Sequence, residues 1–209
     1  MSWPFDPSEP LVSPHVTLEI SRREHGLTPE NDVLPVVLVA TFQQAAYDRM
    51  LERAGAADGA AGHGGSGGTG SRTVGRVDGV PVALARISVG APAAALVLEV
   101  AIARGVRTIL VVGSAGSLQR DLPLGSTVVV EGAEREDGTS HHYLPAGEVV
   151  TADPALTQLL EDGARARGLT PRRGRSWTID APYRETVGAI QRHRSAGVAV
   201  VEMEAEAIF

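Results

Sequence analysis

The chain has 209 residues, with 25 acidic and 19 basic side chains and a formal net charge of −6. All 19 bases are arginine and there is neither lysine nor cysteine, which excludes a P-loop lysine, Schiff-base chemistry, disulfides, thiolate catalysis and cysteine-based metal sites. An acidic chain with scattered arginines makes a poor polyanion binder, so a small-molecule protein with no nucleic-acid partner is expected.

The 43% hydrophobic content is enough for one α/β domain spanning 1–209. The start, Met-Ser-Trp-Pro-Phe-Asp-Pro, shows no basic region followed by an apolar stretch, so no secretory signal is expected. The early apolar run Leu34 to Ala40 is too short to cross a bilayer. A cytoplasmic location without membrane attachment is the corresponding expectation.

In chain order, VLPVVLVA (Val33 to Ala40) reads as a buried strand and Phe42 to Ala54 as the following helix. From Gly62 to Gly70 six of nine residues are glycine. The G-x-G-x-x-G matches this creates follow a helix and precede a strand, the reverse of a dinucleotide fingerprint. A mobile surface loop over about 55–72 is expected. Thr73 to Val77, Asp78-Gly79 and Val80 to Val89 read as a hairpin with a type I′ turn. Pro92 suits the first turn of a helix running to Arg104, with Gly105 closing it.

Thr108 to Val112 (TILVV) is another apolar strand, and Ser126 to Glu131 a further one. A helix is expected over Pro154 to Arg167, capped by Asp153, with Leu156, Leu159 and Leu160 on one face. Ser176 to Ile179 reads as a strand, Glu185 to Arg194 as a helix and Val198 to Val201 (VAVV) as a last buried strand. Buried strands alternating with helices predict a three-layer α/β fold.

Ligands of such sheets gather beyond the C-terminal ends of strands, and three ends carry suggestive residues. Gly113-Ser114-Ala115-Gly116 is either a tight turn or a place where backbone N–H groups approach an anion. Glu202, Glu204 and Glu206 share a face if extended. They are either a solvated strand end or a seat for a ligand with vicinal hydroxyls, whose developing positive charge a carboxylate would stabilise. Thr178-Ile179-Asp180-Ala181-Pro182-Tyr183-Arg184 is either a polar loop or a set of groups that stack on and hydrogen-bond a heterocycle. His141 and His142 have no third ligand at metal spacing, so no metal is expected.

The order of these segments (SVGAP, VVGSAGSL, EREDGTSHHYLP, TIDAPYRET, VEMEAEA) resembles the nucleoside phosphorylase and nucleosidase superfamily, best from Val80 to Phe209. The resemblance implies a phosphorylase-type fold with a central mixed sheet flanked by helices, assembled into homo-oligomers. It implies cleavage of a nucleoside N-glycosidic bond with inorganic phosphate as co-substrate and no other cofactor. Met203 and Glu204, with Glu202 beside them, would hold the ribose, Glu204 being the catalytic residue. Gly90, Ser114 and Gly116 would face phosphate, and Asp180, Tyr183 and Arg184 the base.

Some positions depart from the family pattern. Val111 stands where phosphorylases carry arginine before the glycine turn, and Ala40-Thr41-Phe42-Gln43 replaces their Pro-Gly-Asp-Pro-x-Arg. Arg135 or Arg184, or an arginine from another subunit, is a substitute for phosphate. Pro182 takes the place of a stacking phenylalanine. Two alternatives therefore stand beside phosphorolysis: hydrolysis, as in methylthioadenosine nucleosidases, and nucleoside binding without catalysis.

The family pattern also continues past Phe209 to a strand with a Ser-Asp pair and a terminal helix. The chain is accordingly expected to self-associate beside VAVV or to be part of a longer protein, and to be weak toward purine nucleosides.

A glycine-rich loop makes few packed contacts, and loop length costs little entropy. Deleting Gly62 to Gly70 should leave the melting temperature nearly unchanged in a thermal scan.

Overall fold

Residues 5–57 and 73–209 are described by a computed structural model and fall into two units. The glycine-rich run from Gly62 to Gly70 lies outside the described residues.

The first unit comprises Pro7–Val89 and Ala93–Gly113. It opens with a helix that the sequence reading does not assign, α1 (Pro14–His25). Its signals are local: the Ser13 side chain accepts from the Val16 N–H, Pro14 starts the helix and Gly26 closes it at φ 63°. Only Leu18 is buried on α1, so the apolar periodicity that marks most helices is missing.

Then follow β1 (Val37–Thr41), α2 (Gln44–Arg53), β2 (Thr73–Val77), β3 (Val80–Arg86), α3 (Ala91–Ala103) and β4 (Thr108–Val112). The strands order as β2-β3-β1-β4, with β3, β1 and β4 parallel and β2 antiparallel to β3. The hairpin turn is as expected: Asp78 and Gly79 both have positive φ, 48° and 83°, as a type I′ turn requires. β1 starts at Val37 rather than Val33, and β4 is only partly buried because it is the last strand in its sheet.

Asp32, only 1% exposed, sits between two guanidinium groups, Arg22 Nε at 2.9 Å and Arg104 Nε at 3.2 Å. This ties α1 to the residue that follows α3. A buried carboxylate in such a place tolerates no loss of partner, and neither do the arginines.

The second unit comprises, of the described residues, 5–6, Gly90–Pro92 and Ser114–Phe209. Its elements are β5 (Gly116–Ser117), β6 (Val128–Glu136), β7 (Val150–Thr151), α4 (Pro154–Ala166), β8 (Arg172–Ile179), α5 (Val187–Ser195), β9 (Val200–Glu202) and α6 (Ala205–Ile208). The strand order is β5-β9-β8-β6-β7. β9, β8 and β6 run parallel, with the short β5 and β7 antiparallel at the edges. The expected α/β architecture of mixed sheet and helices is borne out, with the strands divided between two hydrogen-bonded sheets.

β6 runs five residues beyond the predicted strand end, into the polar stretch Gly132 to Glu136, because β8 pairs with it over that whole length. Its outward carboxylates are matched there: Glu134 pairs with Arg175, and Glu136 with Arg192 and the Trp177 indole N–H. Trp177, fully buried, stacks on His193 of α5 with ring centroids 4.3 Å apart.

In α4 the leucines do share a face, but Leu159 and Leu160 are exposed, whereas Thr157 and Glu161 are buried. Glu161 Oε2 lies 2.5 Å from Arg173 Nε on β8. The buried side of α4 carries this charged pair rather than the leucine stripe.

Replacing Asp32 by Ala should cost about 3–5 kcal/mol, the scale for breaking a buried ion pair from one side. Urea unfolding followed by circular dichroism would measure it.

Candidate functional site

Because β6, β8 and β9 are parallel neighbours, their C-terminal ends lie along one edge of the sheet, where α/β proteins bind ligands. Each end delivers one of the segments singled out from the sequence. After β6 comes Asp137-Gly138-Thr139-Ser140-His141-His142, after β8 Asp180 to Arg184, and at β9 Glu202-Met203-Glu204. The pairings Thr178↔Glu202 and Gly116↔Val201 bring the second segment and the glycine turn against β9.

Glu204 is 6% exposed. Its Oε1 accepts from the Gly90 N–H at 2.7 Å and its Oε2 from the Met203 N–H at 3.3 Å. Gly90 has φ 112°, a backbone state open to glycine and strained for other residues. Burial raises the Glu204 carboxyl above the usual carboxylate range, the Gly90 N–H works against this, and neighbouring Glu202 adds to it. A buried, half-satisfied carboxylate of this kind is poised to accept further hydrogen bonds.

Glu202 has a different task. Its Oε2 accepts from the N–H groups of Glu204 (2.7 Å) and Ala205 (2.6 Å), and its Oε1 from the Thr178 hydroxyl (2.5 Å). It caps the turn into α6, so its carboxylate is committed to the chain itself rather than offered to a sugar. Met203, between the two acids, is half-buried.

Glu206 is 3% exposed, and its N–H donates to Thr178 Oγ1 at 3.2 Å. The sequence pattern of alternate acids is thus not one solvated face. Glu204 and Glu206 are buried, and each acid has separate partners.

On the glycine turn, Gly116 pairs with Val201, and a Cβ at that position would lie 3.0 Å from Val201 Cγ1. A side chain at this position would crowd Val201. Ser114 is exposed.

Beyond β8, Asp180 Oδ2 accepts from the Gly138 N–H at 2.7 Å, joining two of the loops. Tyr183 and Arg184 are exposed on a single 3₁₀ turn, Pro182–Arg184. Arg135, one expected substitute for phosphate, is engaged elsewhere. Its guanidinium donates to the carbonyls of Ser140 (2.7 Å), Leu144 (3.0 Å) and Pro145 (2.8 Å) and to the Ser140 hydroxyl (3.1 Å). It closes the loop that carries His141 and His142. The sequence points to Arg135 only as a substitute for phosphate and gives no sign of this hub.

Among the described residues no group of three or more His, Asp or Glu side chains could hold a metal ion. No helix among them is long and apolar enough to cross a membrane. A hollow of about 370 Å³ lies away from this edge, lined by Glu131, Thr151, Thr157, Arg173 and Arg175 among others. Its arginines are already paired, Arg173 with Glu161 and Arg175 with Glu134.

The family model of the phosphorylase superfamily matches residues 36–209, and the chain belongs to that superfamily. It is similar to uridine phosphorylase of Haemophilus influenzae, 27% identical over 150 residues that make up 65% of this chain and 60% of that protein. It is also similar to guanosine phosphorylase of Halorubrum lacusprofundi, 32% identical over 136 residues, 63% of this chain and 55% of that protein. The crystal structure of uridine phosphorylase from Vibrio fischeri superimposes with a TM-score of 0.75 at 24% identity, covering 86% of this chain and 73% of that one. The chain spans a little over half the length of these curated relatives.

Glu202→Ala would leave two N–H groups and a hydroxyl without their charged acceptor. A loss of about 2 kcal/mol is expected, measurable by chemical denaturation, with faster amide exchange at Glu204 and Ala205.

Proposed function

We propose that this chain binds a nucleoside at the edge formed by β6, β8 and β9 and cleaves its N-glycosidic bond with phosphate, giving the free base and a pentose 1-phosphate. The observation that carries this reading is Glu204, a buried carboxylate with spare acceptor capacity between Met203 and the Gly90 backbone. Two neighbouring sugar hydroxyls can donate to such a group, with Met203 against the ribose. As the bond from C1′ to the base nitrogen breaks, its electrons leave with the base, which takes up a proton. Positive charge then builds on the sugar ring, and the new bond forms from C1′ to a phosphate oxygen.

A preformed carboxylate stabilises that transition state more than the neutral sugar. Glu202 seats Glu204 rather than touching ribose. Gly90, Ser114 and Gly116 form the phosphate side, the Gly90 N–H passing from Glu204 to phosphate once the hydroxyls occupy the acid. Asp180 holds the Gly138 loop beside the base, with Tyr183 and Arg184 the groups that face it. The named relatives, uridine and guanosine phosphorylases, support the reaction class and leave the base open. Inorganic phosphate is the co-substrate, and a cytoplasmic homo-oligomer fits the reading.

A second reading, hydrolysis, is favoured by two observations: Val111 stands at the arginine position, and Arg135 is spent on its own loop. Base release from uridine and from guanosine, measured with and without phosphate, separates the two. Phosphate-dependent release supports phosphorolysis, equal release without it supports hydrolysis, and none with either refutes catalysis.

Glu204→Gln should lower the rate at least ~100-fold, the scale for losing one preorganised electrostatic partner, while the far-ultraviolet circular dichroism stays unchanged. The ionised acid is the working form and its pKa is raised, so activity should rise with pH through a limb lying above the ordinary glutamate range. A pH profile of kcat/KM reads this directly.

A further inference from the structure

Two acids at this edge are left over once the proposed chemistry is assigned. Asp137, just beyond β6, and Glu206, in α6, are each 3% exposed. The Asp137 N–H lies 3.4 Å from Glu206 Oε2, which makes the two carboxyl groups neighbours, and neither Asp137 Oδ2 nor Glu206 Oε1 has a hydrogen-bond partner. The other two oxygens are accounted for: Asp137 Oδ1 accepts from the Ser140 N–H at 2.7 Å, and Glu206 Oε2 faces the Asp137 N–H at 3.4 Å. An ionised carboxylate only accepts hydrogen bonds, so two ionised groups cannot bond to each other. One proton between Oδ2 and Oε1 satisfies both orphaned oxygens at once.

We propose that Asp137 and Glu206 share one proton, and that this shared proton makes them positioning residues for Glu204, a role that rests on the nucleoside reading above. The connection runs through named bonds. The Glu206 N–H donates to Thr178, the Thr178 hydroxyl donates to Glu202, and Glu202 accepts from the N–H of Glu204. The shared proton therefore clamps the first turn of α6 to the loop after β6. Two negative charges there would push the helix start, and Glu204 with it, off the Gly90 N–H.

The surroundings favour one retained proton. Burial and the adjacent Asp137 push Glu206 up to about 10, while contacts with Glu206 and Ser140 hold Asp137 below its ordinary value against the opposing effect of burial. Arg135 of β6 is the cation that acts on Glu206, weakly, and its guanidinium is bound to loop carbonyls. On the same strands Glu134 pairs with Arg175, and Glu136 with Arg192 and His193. From β8 the facing group is Thr178, and from β9 it is Glu202.

A raised folded-state pKa means that the stability contributed by Glu206 is complete below the unfolded glutamate value. It is lost as pH climbs toward about 10.

The test uses the full chain and the variants Glu206→Gln, Glu206→Ala and Asp137→Asn. An infrared difference spectrum at neutral pH should show a buried protonated-carboxyl stretch in wild type that Glu206→Gln removes. Wild-type melting temperature should fall as pH rises toward about 10, and the Gly90 amide resonance should shift and exchange faster in step. Glu206→Gln keeps a donor to Asp137 that cannot ionise, and Asp137→Asn supplies a donor to an ionised Glu206. Both should flatten these pH dependences, whereas Glu206→Ala should be destabilised at every pH.

KM for the nucleoside should rise tenfold or more over the same range in wild type only, within the usual scale of coupling between linked groups. The proposal is overturned if no protonated-carboxyl band is found, if Glu206→Gln behaves as Glu206→Ala, or if the Gly90 amide ignores the titration. A responsive Gly90 amide with no nucleoside binding at any pH would instead refute the nucleoside reading and leave the shared proton standing.

Discussion

A strand that ends inside a sheet and turns at once into a helix leaves its next N–H groups without partners, and in this protein Glu202 meets that need. Its carboxylate takes two backbone donors of the α6 opening and the Thr178 hydroxyl of the neighbouring strand. The first N–H groups of a helix have no partner within it, and Glu202 supplies one for the start of α6. Everything that follows in the site depends on it: the direction of Glu204, the burial of Glu206, and the meeting of Glu206 with Asp137.

Three glutamates at alternate positions could have formed a repelling cluster. The fold instead gives each a different electrical environment. Glu202 is held by donors, Glu204 is buried against two backbone N–H groups, and Glu206 is buried against another acid. Carboxylates of one chemical type acquire separate roles when their surroundings push their pKa values apart. Glu204 and Glu206, both raised for reasons of burial, differ in what opposes that rise.

The arginines show the same division of labour. In a chain without lysine they carry every permanent positive side-chain charge, and several serve architecture. Arg22 and Arg104 neutralise Asp32, Arg173 pairs with Glu161 of α4, and Arg135 gathers loop carbonyls. A planar guanidinium with several fixed donors suits this work, because one side chain can satisfy carbonyls from different parts of a loop.

Local chemistry was legible in the amino-acid sequence. The Asp78-Gly79 turn, Pro and Gly at helix ends, the apolar strands and the ordered series of segments from SVGAP to VEMEA all predict α/β elements in their observed places. They also identify the superfamily and point to Glu204. These features were readable because each depends on neighbours a few residues away: backbone sterics, caps and strand hydrophobicity. Other features depend on partners far along the chain. The extension of β6 through Glu136 requires β8, the charged pair on the buried side of α4 requires Arg173, and the employment of Arg135 requires carbonyls of a folded loop. Most of all, the environments of Glu202 and Glu206 were decided only in three dimensions, by Thr178 and Asp137. A carboxylate carries no mark in sequence of whether its neighbour will be water, an N–H group or another acid.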